Sequence, residues 1–251
     1  GYTEIMNETF YIPSDINQNK TIFSPLDEVP SLNIAIYADI GAGEDGIQNI
    51  KKNIADTLHI KVQELTANDI RNNDLSAYDA IIFSGGSGSK QAEALGEEGK
   101  RNIKHFIEHG GGYLGICAGA YLASSGFDWS LHLVPVKTIS VTEWKRGKGF
   151  VDLELTQEGR DVFGPVDGLF KCRYSSGPLL QPLDSSSHFN VLAYFRSEVS
   201  DNGVTEGVMR NTPAVLSATY GKVLLISTHP ENTPGLEHMI SRGLKWLHEK
   251  K

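Results

Sequence analysis

The sequence has few cysteines, no long apolar run and no excess of positive charge, and these absences exclude several classes of protein. Only two of its 251 residues are cysteines, which is too few for a disulfide framework or a four-thiolate zinc site. No apolar run approaches the roughly 18 residues needed to cross a bilayer, so no membrane span is predicted. The 23 basic residues are outnumbered by 31 acidic ones, and the net charge of −8 predicts no binding to nucleic acid. The basic cluster at residues 145–148 is predicted to be solvated surface.

The character of the chain changes near residue 31 and again near residue 125. Residues 1–30 are polar and irregular and contain three prolines, which predicts an N-terminal arm. No internal repeat or low-complexity linker interrupts the remainder. Residues 31–251 are therefore predicted to form a single domain.

Strand-like apolar runs alternate with segments of helical spacing as far as residue 125, and strand-like runs then dominate. The nearly continuous apolar run at residues 78–83 is typical of a strand covered by helices on both faces. These patterns predict an α/β fold: a three-layer, doubly wound, flavodoxin-like, mostly parallel sheet with antiparallel strands added in the C-terminal half. The predicted strands are residues 32–38, 59–65, 78–83, 113–116, 134–144, 149–155, 169–174, 190–196, 214–220 and 222–227, and the predicted helices are residues 47–58, 97–109 and 234–250.

The most informative segment is residues 111–123, with the sequence GGYLGICAGAYLA. A short apolar strand runs into Cys117, and a helix of small residues begins at Ala118. This Gly-x-Cys-x-Gly pattern is typical of a nucleophile elbow, in which a sharp strand-to-helix turn presents the central side chain at the edge of the sheet. Because a helix N-terminus favours a thiolate over a thiol, Cys117 is predicted to be a nucleophile. The alternative is a buried structural cysteine in an ordinary turn.

A working cysteine also bears on the compartment. A nucleophilic thiol must stay reduced, which favours a reducing compartment such as the cytoplasm. The chain begins at Gly1 without a methionine, so an exported form from which a signal peptide has been removed stays open as the alternative.

A cysteine nucleophile needs a base, and the base needs a group that orients it. The apolar run at residues 222–227 continues into His229, Pro230 and Glu231. At the carboxyl end of a parallel strand, His229 would leave the sheet at the same edge as Cys117. Glu231 could then accept a hydrogen bond from the imidazole, which predicts a Cys-His-Glu triad. The alternative is a helix-capping loop that happens to contain histidine and glutamate.

An acyl-transfer site also needs hydrogen-bond donors for an oxyanion. The sequence Ser-Gly-Gly-Ser-Gly-Ser at residues 84–89 follows a predicted strand at the same edge of the sheet. The backbone N–H groups of Gly86 and Ala118 are the predicted oxyanion hole. The segment lacks the Lys-Ser/Thr ending of a phosphate-binding loop, and no cofactor is predicted.

Three further positions carry weaker chemical signals. Asp39 ends the first predicted strand and is predicted either to bind a substrate amine or to cap the following turn. Cys172 is predicted to be a buried small hydrophobe rather than a resolving thiol. His105 and His109 lie four residues apart on a predicted helix, but no third ligand is evident and no metal site is predicted.

The glycine loop, the elbow and the strand followed by His-Pro-Glu, in this order and at these distances, resemble the class I glutamine amidotransferase-like superfamily over residues 31–250. Within that span, GGGYLGICAGAYLAS at residues 110–124, the Gly-Ala-Gly turn at 41–43 and YSSGP at 174–178 are similar to one particular member of it. That member is the domain at the N-terminus of eukaryotic-type biotin–protein ligases, which also occurs as a stand-alone bacterial protein.

The resemblance assigns roles to individual residues. It implies that Cys117 is the nucleophile, His229 the base and Glu231 its orienting partner. It also implies that Gly86 and Ala118 are the oxyanion donors. The candidates for substrate binding are Asp39, Gly85, Tyr121 and Tyr174.

One position departs from the pattern of the superfamily. Its glutaminases place a glutamine four residues after the cysteine, where it helps to bind the substrate, and this chain has Tyr121. A tyrosine cannot reproduce the hydrogen bonds of that amide. Neither a synthase domain nor a biotin-ligase catalytic domain is recognisable, so glutaminase activity and biotin ligation by this chain alone are not predicted.

Two functions from different classes are therefore predicted as alternatives. The first is a cysteine-dependent, amidotransferase-like hydrolase that acts on a small amide or ester. The second is a non-catalytic ligand-binding or regulatory module of the same fold. A third, chaperone- or deglycase-like role would need a carboxylate beside the cysteine, for which Asp39 and Glu44 are the candidates. In each case the expected partner is a small molecule.

Overall fold

The computed structural model describes residues 12–28, 30–55, 57, 59–201 and 206–250. The strands are β1 Leu32–Tyr37, β2 Ile60–Leu65, β3 Ala80–Phe83, β4 Gly112–Ile116, β5 Val136–Thr138, β6 Lys148–Leu155, β7 Leu169–Ser175, β8 Leu180–Pro182, β9 Asn190–Phe195, β10 Pro213–Ser217 and β11 Val223–Ile226. The α-helices are α1 Glu44–Ala55, α2 Ala67–Asn72, α3 Gly88–Glu108, α4 Ala118–Ala123, α5 Gln157–Phe163 and α6 Met239–Glu249.

Nine strands form one sheet in the order β2-β1-β3-β4-β11-β10-β9-β6-β7. One half of it is parallel: β1 pairs with β2 and β3, β3 with β4, and β4 with β11. In the other half, β10, β9, β6 and β7 continue from β11 in antiparallel pairs. The predicted α/β fold, with antiparallel strands added in the C-terminal half, is confirmed.

The centre of the sheet is covered on both faces. Every residue of β3, β4 and β11 is buried. Successive residues of a strand point to opposite faces, and neighbours such as Tyr113 and Leu114 belong to two different hydrophobic clusters. The sheet is therefore the middle of three layers. Its central strands have continuous apolar sequences because both of their faces are buried.

The structure differs from the sequence prediction at several boundaries. The range of α3 contains two helices joined at a kink, because the backbone of Gly96 is not helical (φ +64°, ψ 179°). The second begins near the predicted residue 97, whereas the first, which the side chain of Ser87 caps, was not predicted. The predicted strand at residues 134–144 is reduced to β5. α2 and α5 were not predicted, since six and seven residues are too few for helical periodicity to show. The predicted end of α1 near residue 58 lies partly outside the described residues.

Residues 1–11 of the predicted N-terminal arm lie outside the described residues. Residues 12–28 contain no helix or strand and lie against the C-terminal half of the chain. The ring of Phe23 is fully buried, 6.0 Å from that of Phe163 and 5.3 Å from that of Phe170. None of the helices within the described residues is long and apolar enough to cross a membrane.

Candidate active site

Three loops leave the sheet at one edge because the strands that precede them are parallel neighbours. β4 pairs with β3 as far as Phe83 and with β11 as far as Ile226. The glycine loop at residues 84–89, the elbow at Cys117 and the loop that carries His229 therefore start side by side. The N–H of Cys117 donates to the carbonyl of Ile226 at 2.8 Å, which fixes the elbow against the histidine loop.

Cys117 has a backbone conformation that few residues other than glycine adopt, with φ +53° and ψ −101°. Strain of this kind at a strand-to-helix turn is a feature of nucleophile elbows. The turn also needs its glycines. A Cβ at Gly119 would lie 2.0 Å from the carbonyl oxygen of Phe83, and one at Gly115 would lie 2.5 Å from the carbonyl oxygen of Gly119. The Gly-x-Cys-x-Gly sequence therefore follows from the close packing of α4 on β3 and β4.

His229 and Glu231 form a buried pair. Nδ1 of His229 lies 2.5 Å from Oε1 of Glu231, and the two side chains are 1% and 0% exposed. The backbone of His229 is held on both sides: its N–H donates to the carbonyl of Arg173 at 2.7 Å, and its carbonyl accepts from the hydroxyl of Thr233 at 2.8 Å. Its Nε2 has no hydrogen-bond partner among the described residues. The bond at Nδ1 therefore fixes the orientation of the imidazole, and Nε2 is available to bond to another group.

The charge of His229 follows from these surroundings. Burial favours the neutral ring, but the neighbouring Glu231 carboxylate and Cys117 outweigh burial and raise the pKa of His229 to about 10. A buried carboxylate is also costly unless a cation lies beside it. The favoured state near neutral pH is therefore a protonated imidazolium next to both Glu231 and Cys117.

The backbone of the glycine loop is locked against the turn that follows β1. Gly86 has a φ of +139°, and a Cβ there would lie 2.0 Å from the carbonyl oxygen of Gly41. The buried side-chain amide of Gln91 joins the two loops, because its NH₂ donates to the carbonyls of Gly41 and Ser84 at 3.1 Å each. Ala118 is the first residue of α4, so its N–H has no acceptor within the helix. Both predicted oxyanion donors thus sit on backbone that has little freedom to move.

The elbow is closed to solvent. Cys117 is 1% exposed, and its thiol donates to the carbonyl of Ser175 at 3.6 Å. The next carbonyl, that of Ser176, accepts a hydrogen bond from the hydroxyl of Tyr121 at 2.9 Å. Arg146 in turn donates from Nε to the same hydroxyl at 3.2 Å. We call Ser175 and Ser176, together with the Tyr121 and Arg146 side chains that hold them, the cover.

The other carboxylates proposed from the sequence cap backbone or lie at the surface. Asp39 accepts hydrogen bonds from the N–H of Ile40 at 2.8 Å and from that of Ala67, the first residue of α2, at 2.9 Å. This geometry matches the turn-capping alternative. Glu44 is exposed at the start of α1, where it accepts from the side chain of Gln48.

Gly85 and Tyr174, also candidates for substrate binding, bond to nearby backbone. The carbonyl of Gly85 accepts from the N–H of Gly43 at 3.0 Å, next to the contact between Gly86 and Gly41. Tyr174 is fully buried, and its hydroxyl donates to the carbonyl of Gly177 at 2.7 Å. This hydrogen bond closes the turn at residues 174–177, which holds Ser175 and Ser176 of the cover in place.

The remaining cysteine and histidines lie outside the triad. The hydroxyl of Thr233 contacts both the Cys172 thiol, at 3.7 Å, and the His229 carbonyl, so Cys172 packs behind the histidine loop. Cys172 is fully buried, and burial raises the pKa of its thiol to about 12. The rings of His105 and His109 lie 3.9 Å apart on α3. Among the described residues, no three histidine, cysteine or carboxylate side chains are grouped so as to hold a metal ion.

Sequence analysis did not single out Gln91, Ser175, Ser176 or Arg146. Its prediction of solvated surface at residues 145–148 is wrong for Arg146, which is half-buried and donates to oxygens of Tyr121, Thr138, Ile139 and Trp144. The bond to Tyr121 spans 25 residues and the bond from Tyr121 to Ser176 spans 55. No local pattern could have revealed contacts at that separation.

Residues 32–143 match the family model described as "Biotin-protein ligase, N terminal". Solved structures are similar over most of the chain. That of PurLQS from Thermotoga maritima has a TM-score of 0.62 at 16% identity, covering 87% of this chain and 100% of that chain. A glutamine amidotransferase structure has a TM-score of 0.60 at 22% identity, with 86% and 98% covered. A ThuA-like protein from Bacteroides uniformis has a TM-score of 0.63 at 15% identity, with 89% and 94% covered.

The fold is similar to that of the glutamine amidotransferase structure, and residues 32–143 are similar to the N-terminal family of biotin–protein ligases. The family match covers less than half of the chain. It includes the glycine loop, Cys117 and Tyr121 of this amidotransferase-like fold and ends before Arg146, His229 and Glu231. The solved structures are all less than 25% identical and establish the fold alone.

Proposed function

We propose that this protein is a cysteine-dependent, amidotransferase-like hydrolase in which Cys117, His229 and Glu231 form the catalytic triad. The observation that carries the proposal is the buried His229–Glu231 pair, with nitrogen and oxygen 2.5 Å apart, next to a cysteine in a strained elbow. A strained backbone costs stability, and a buried ion pair contributes little net stability because both of its charges lose their hydration. Their occurrence together is typical of a site maintained for chemistry.

The proposed reaction begins when the Cys117 thiol leaves the Ser175 carbonyl, loses its proton to solvent beside the His229 imidazolium and, as a thiolate, attacks the carbonyl carbon of the substrate. The carbonyl oxygen becomes an oxyanion and accepts hydrogen bonds from the N–H groups of Gly86 and Ala118. His229, protonated at Nε2, donates that proton to the leaving amine or alcohol, which departs and leaves a thioester on Cys117. Neutral His229 then takes a proton from water, whose oxygen attacks the thioester. The acid is released, and the thiolate and imidazolium are restored.

The substrate class is a small molecule with an amide or ester bond. Because Tyr121 stands where glutaminases of this superfamily place a glutamine, the preferred substrate is not glutamine. For turnover, the cover must move away from Cys117 to admit the substrate. We also propose that residues 31–251 act as one domain with residues 1–30 as an arm. The nine-stranded sheet, which joins strands from both halves of the chain and leaves out only β5 and β8, supports this.

The test is hydrolysis of a panel of small amides, esters and glutamine by the wild type and three variants. Cys117→Ala and His229→Gln are expected to lower kcat/KM by at least about a thousandfold, as losses of a nucleophile or a base do. Cys172→Ser is the matched control, a buried cysteine outside the triad, and should keep its activity. Turnover by Cys117→Ala equal to that of the wild type would overturn the proposal.

A second candidate function, a non-catalytic ligand-binding or regulatory module, is favoured by the cover. The carbonyl of Ser175 accepts a hydrogen bond from the Cys117 thiol, and Tyr121 holds the carbonyl of Ser176. These groups occupy the space that a substrate would need. Saturable binding of a small molecule that survives Cys117→Ala, without turnover of any member of the panel, would support this function over the first.

A further inference from the structure

A cavity of about 480 Å³ lies on the outer side of Tyr121, separated from Cys117 by the cover. Its volume is in the range of small-molecule sites. Part of its wall is an aromatic pair: the rings of Phe127 and Trp129 stack with centroids 4.5 Å apart and planes 10° from parallel. Both side chains are only half-buried, so flat apolar surface remains open to a ligand.

The charged groups of this cavity are all of one sign. Arg146 and Lys137 line it, and no acidic side chain is among the described residues that do so. The guanidinium of Arg146 donates to four neutral oxygens and has no carboxylate partner in the described part of the chain. A guanidinium has five N–H groups, so one on Nη1 remains for another acceptor. Its Cζ also lies 5.8 Å from the centroid of the Trp144 ring, so the described partners of this half-buried cation are all uncharged, which favours an anion.

We propose that this cavity binds a small molecule that combines a flat apolar body with a carboxylate. The apolar body would lie on the Phe127–Trp129 pair, where aromatic stacking adds to the burial of apolar surface. The carboxylate would accept from Arg146, with Lys137 at the exposed side. The site is distinct from the triad, since neither Cys117 nor His229 lines the cavity.

Tyr121 connects this cavity to the elbow. Its side chain lines the cavity, and its hydroxyl accepts from Arg146 and donates to Ser176. A carboxylate that draws Arg146 toward itself competes with the bond between Arg146 and Tyr121, which loosens the cover over Cys117. Binding therefore favours the open elbow. This regulatory consequence rests on the proposed function, whereas binding itself does not.

The experiment is calorimetric titration of the full chain with 3-phenylpropionate, 3-phenylpropanamide and acetate. We expect saturable binding of 3-phenylpropionate, with the uncharged amide and the ringless acetate each at least about tenfold weaker. Arg146→Gln and Trp129→Leu should each weaken binding by about tenfold or more. Arg160→Gln, which removes a cation from α5, is the matched control and should bind like the wild type.

Two outcomes would overturn the site: no saturable binding of 3-phenylpropionate, or equal binding of its uncharged amide. The amide comparison uses the wild-type protein and holds even where Arg146→Gln fails to fold. Cys117→Ala should bind 3-phenylpropionate with the affinity of the wild type. A failure of the proposed triad can therefore be distinguished from a failure of the proposed binding site. Coupling is measured by alkylation of Cys117, which saturating 3-phenylpropionate should accelerate at least about twofold. An unchanged alkylation rate at saturation would overturn the coupling.

Discussion

Removing the Tyr121 hydroxyl should expose Cys117 to reagents. In Tyr121→Phe the ring remains, but the hydrogen bond to the Ser176 carbonyl at 2.9 Å and the bond from Arg146 at 3.2 Å are both lost. Alkylation of a buried thiol requires a transient opening, and its rate follows the free energy of that opening. The variant should therefore react faster without any change in the thiol itself.

The magnitude follows from the bonds that opening must break. A neutral hydrogen bond such as that to Ser176 contributes about 0.5–1.5 kcal/mol, which corresponds to roughly two- to thirteenfold in the population of the open form. Loss of the bond from Arg146 to the Tyr121 hydroxyl also favours opening and in addition lowers global stability. We expect alkylation about fivefold faster, together with a free energy of unfolding lower by about 1–3 kcal/mol.

The assay is alkylation by iodoacetamide at constant pH, followed by mass spectrometry of the two cysteine-containing peptides. Cys172 is the internal control because it is fully buried and burial raises its pKa to about 12. Tyr220→Phe is the matched variant, since its hydroxyl also donates to a backbone carbonyl, that of Leu133, at 2.8 Å. A rate for Cys117 that is unchanged in Tyr121→Phe, or raised equally in Tyr220→Phe, would refute the cover.

Further predictions concern the buried pair and the elbow. Glu231→Gln should lower the free energy of unfolding at pH 6.5 by about 3 kcal/mol, because it leaves a buried imidazole without its carboxylate. Since the pKa of His229 is raised from 6.5 to about 10, protonation favours the folded state, and this contribution is full below pH 6.5 and lost as pH rises through about 10. The difference in the free energy of unfolding between wild type and Glu231→Gln, measured by urea titration, should therefore become smaller as the pH rises from 6.5 to about 10. Gly119→Ala should lower the free energy of unfolding by at least about 2 kcal/mol, because its Cβ would meet the carbonyl oxygen of Phe83 at 2.0 Å.

Each of these has its own control. Gly99→Ala on α3 places a Cβ 3.0 Å from its nearest neighbour, the Cβ of Leu95, instead of 2.0 Å from a carbonyl oxygen, and should cost less than Gly119→Ala. A stability difference for Glu231→Gln that stays constant from pH 6.5 to 10 would contradict the assignment of a protonated His229.

The sequence by itself determined the fold and the candidate triad. Continuous apolar runs predicted the parallel strands, because a strand covered on both faces has no polar side to show. The elbow could be recognised because Gly115, Cys117 and Gly119 lie within five residues and the two glycines are required by close backbone contacts. His229 and Glu231 are two residues apart, so their pairing also needed only local geometry.

Only the tertiary structure decided whether the thiol of Cys117 is accessible to solvent. The cover joins Tyr121 to Arg146 and to Ser176, 25 and 55 residues away, through single hydrogen bonds that leave no periodic trace in the sequence. The charge of His229 likewise depends on complete burial next to Glu231 and Cys117, and burial belongs to the packed chain. The sequence therefore predicts features that depend on neighbouring residues, such as the elbow and the His229–Glu231 pair. The closure of the elbow and the cavity beside it depend on contacts between distant segments.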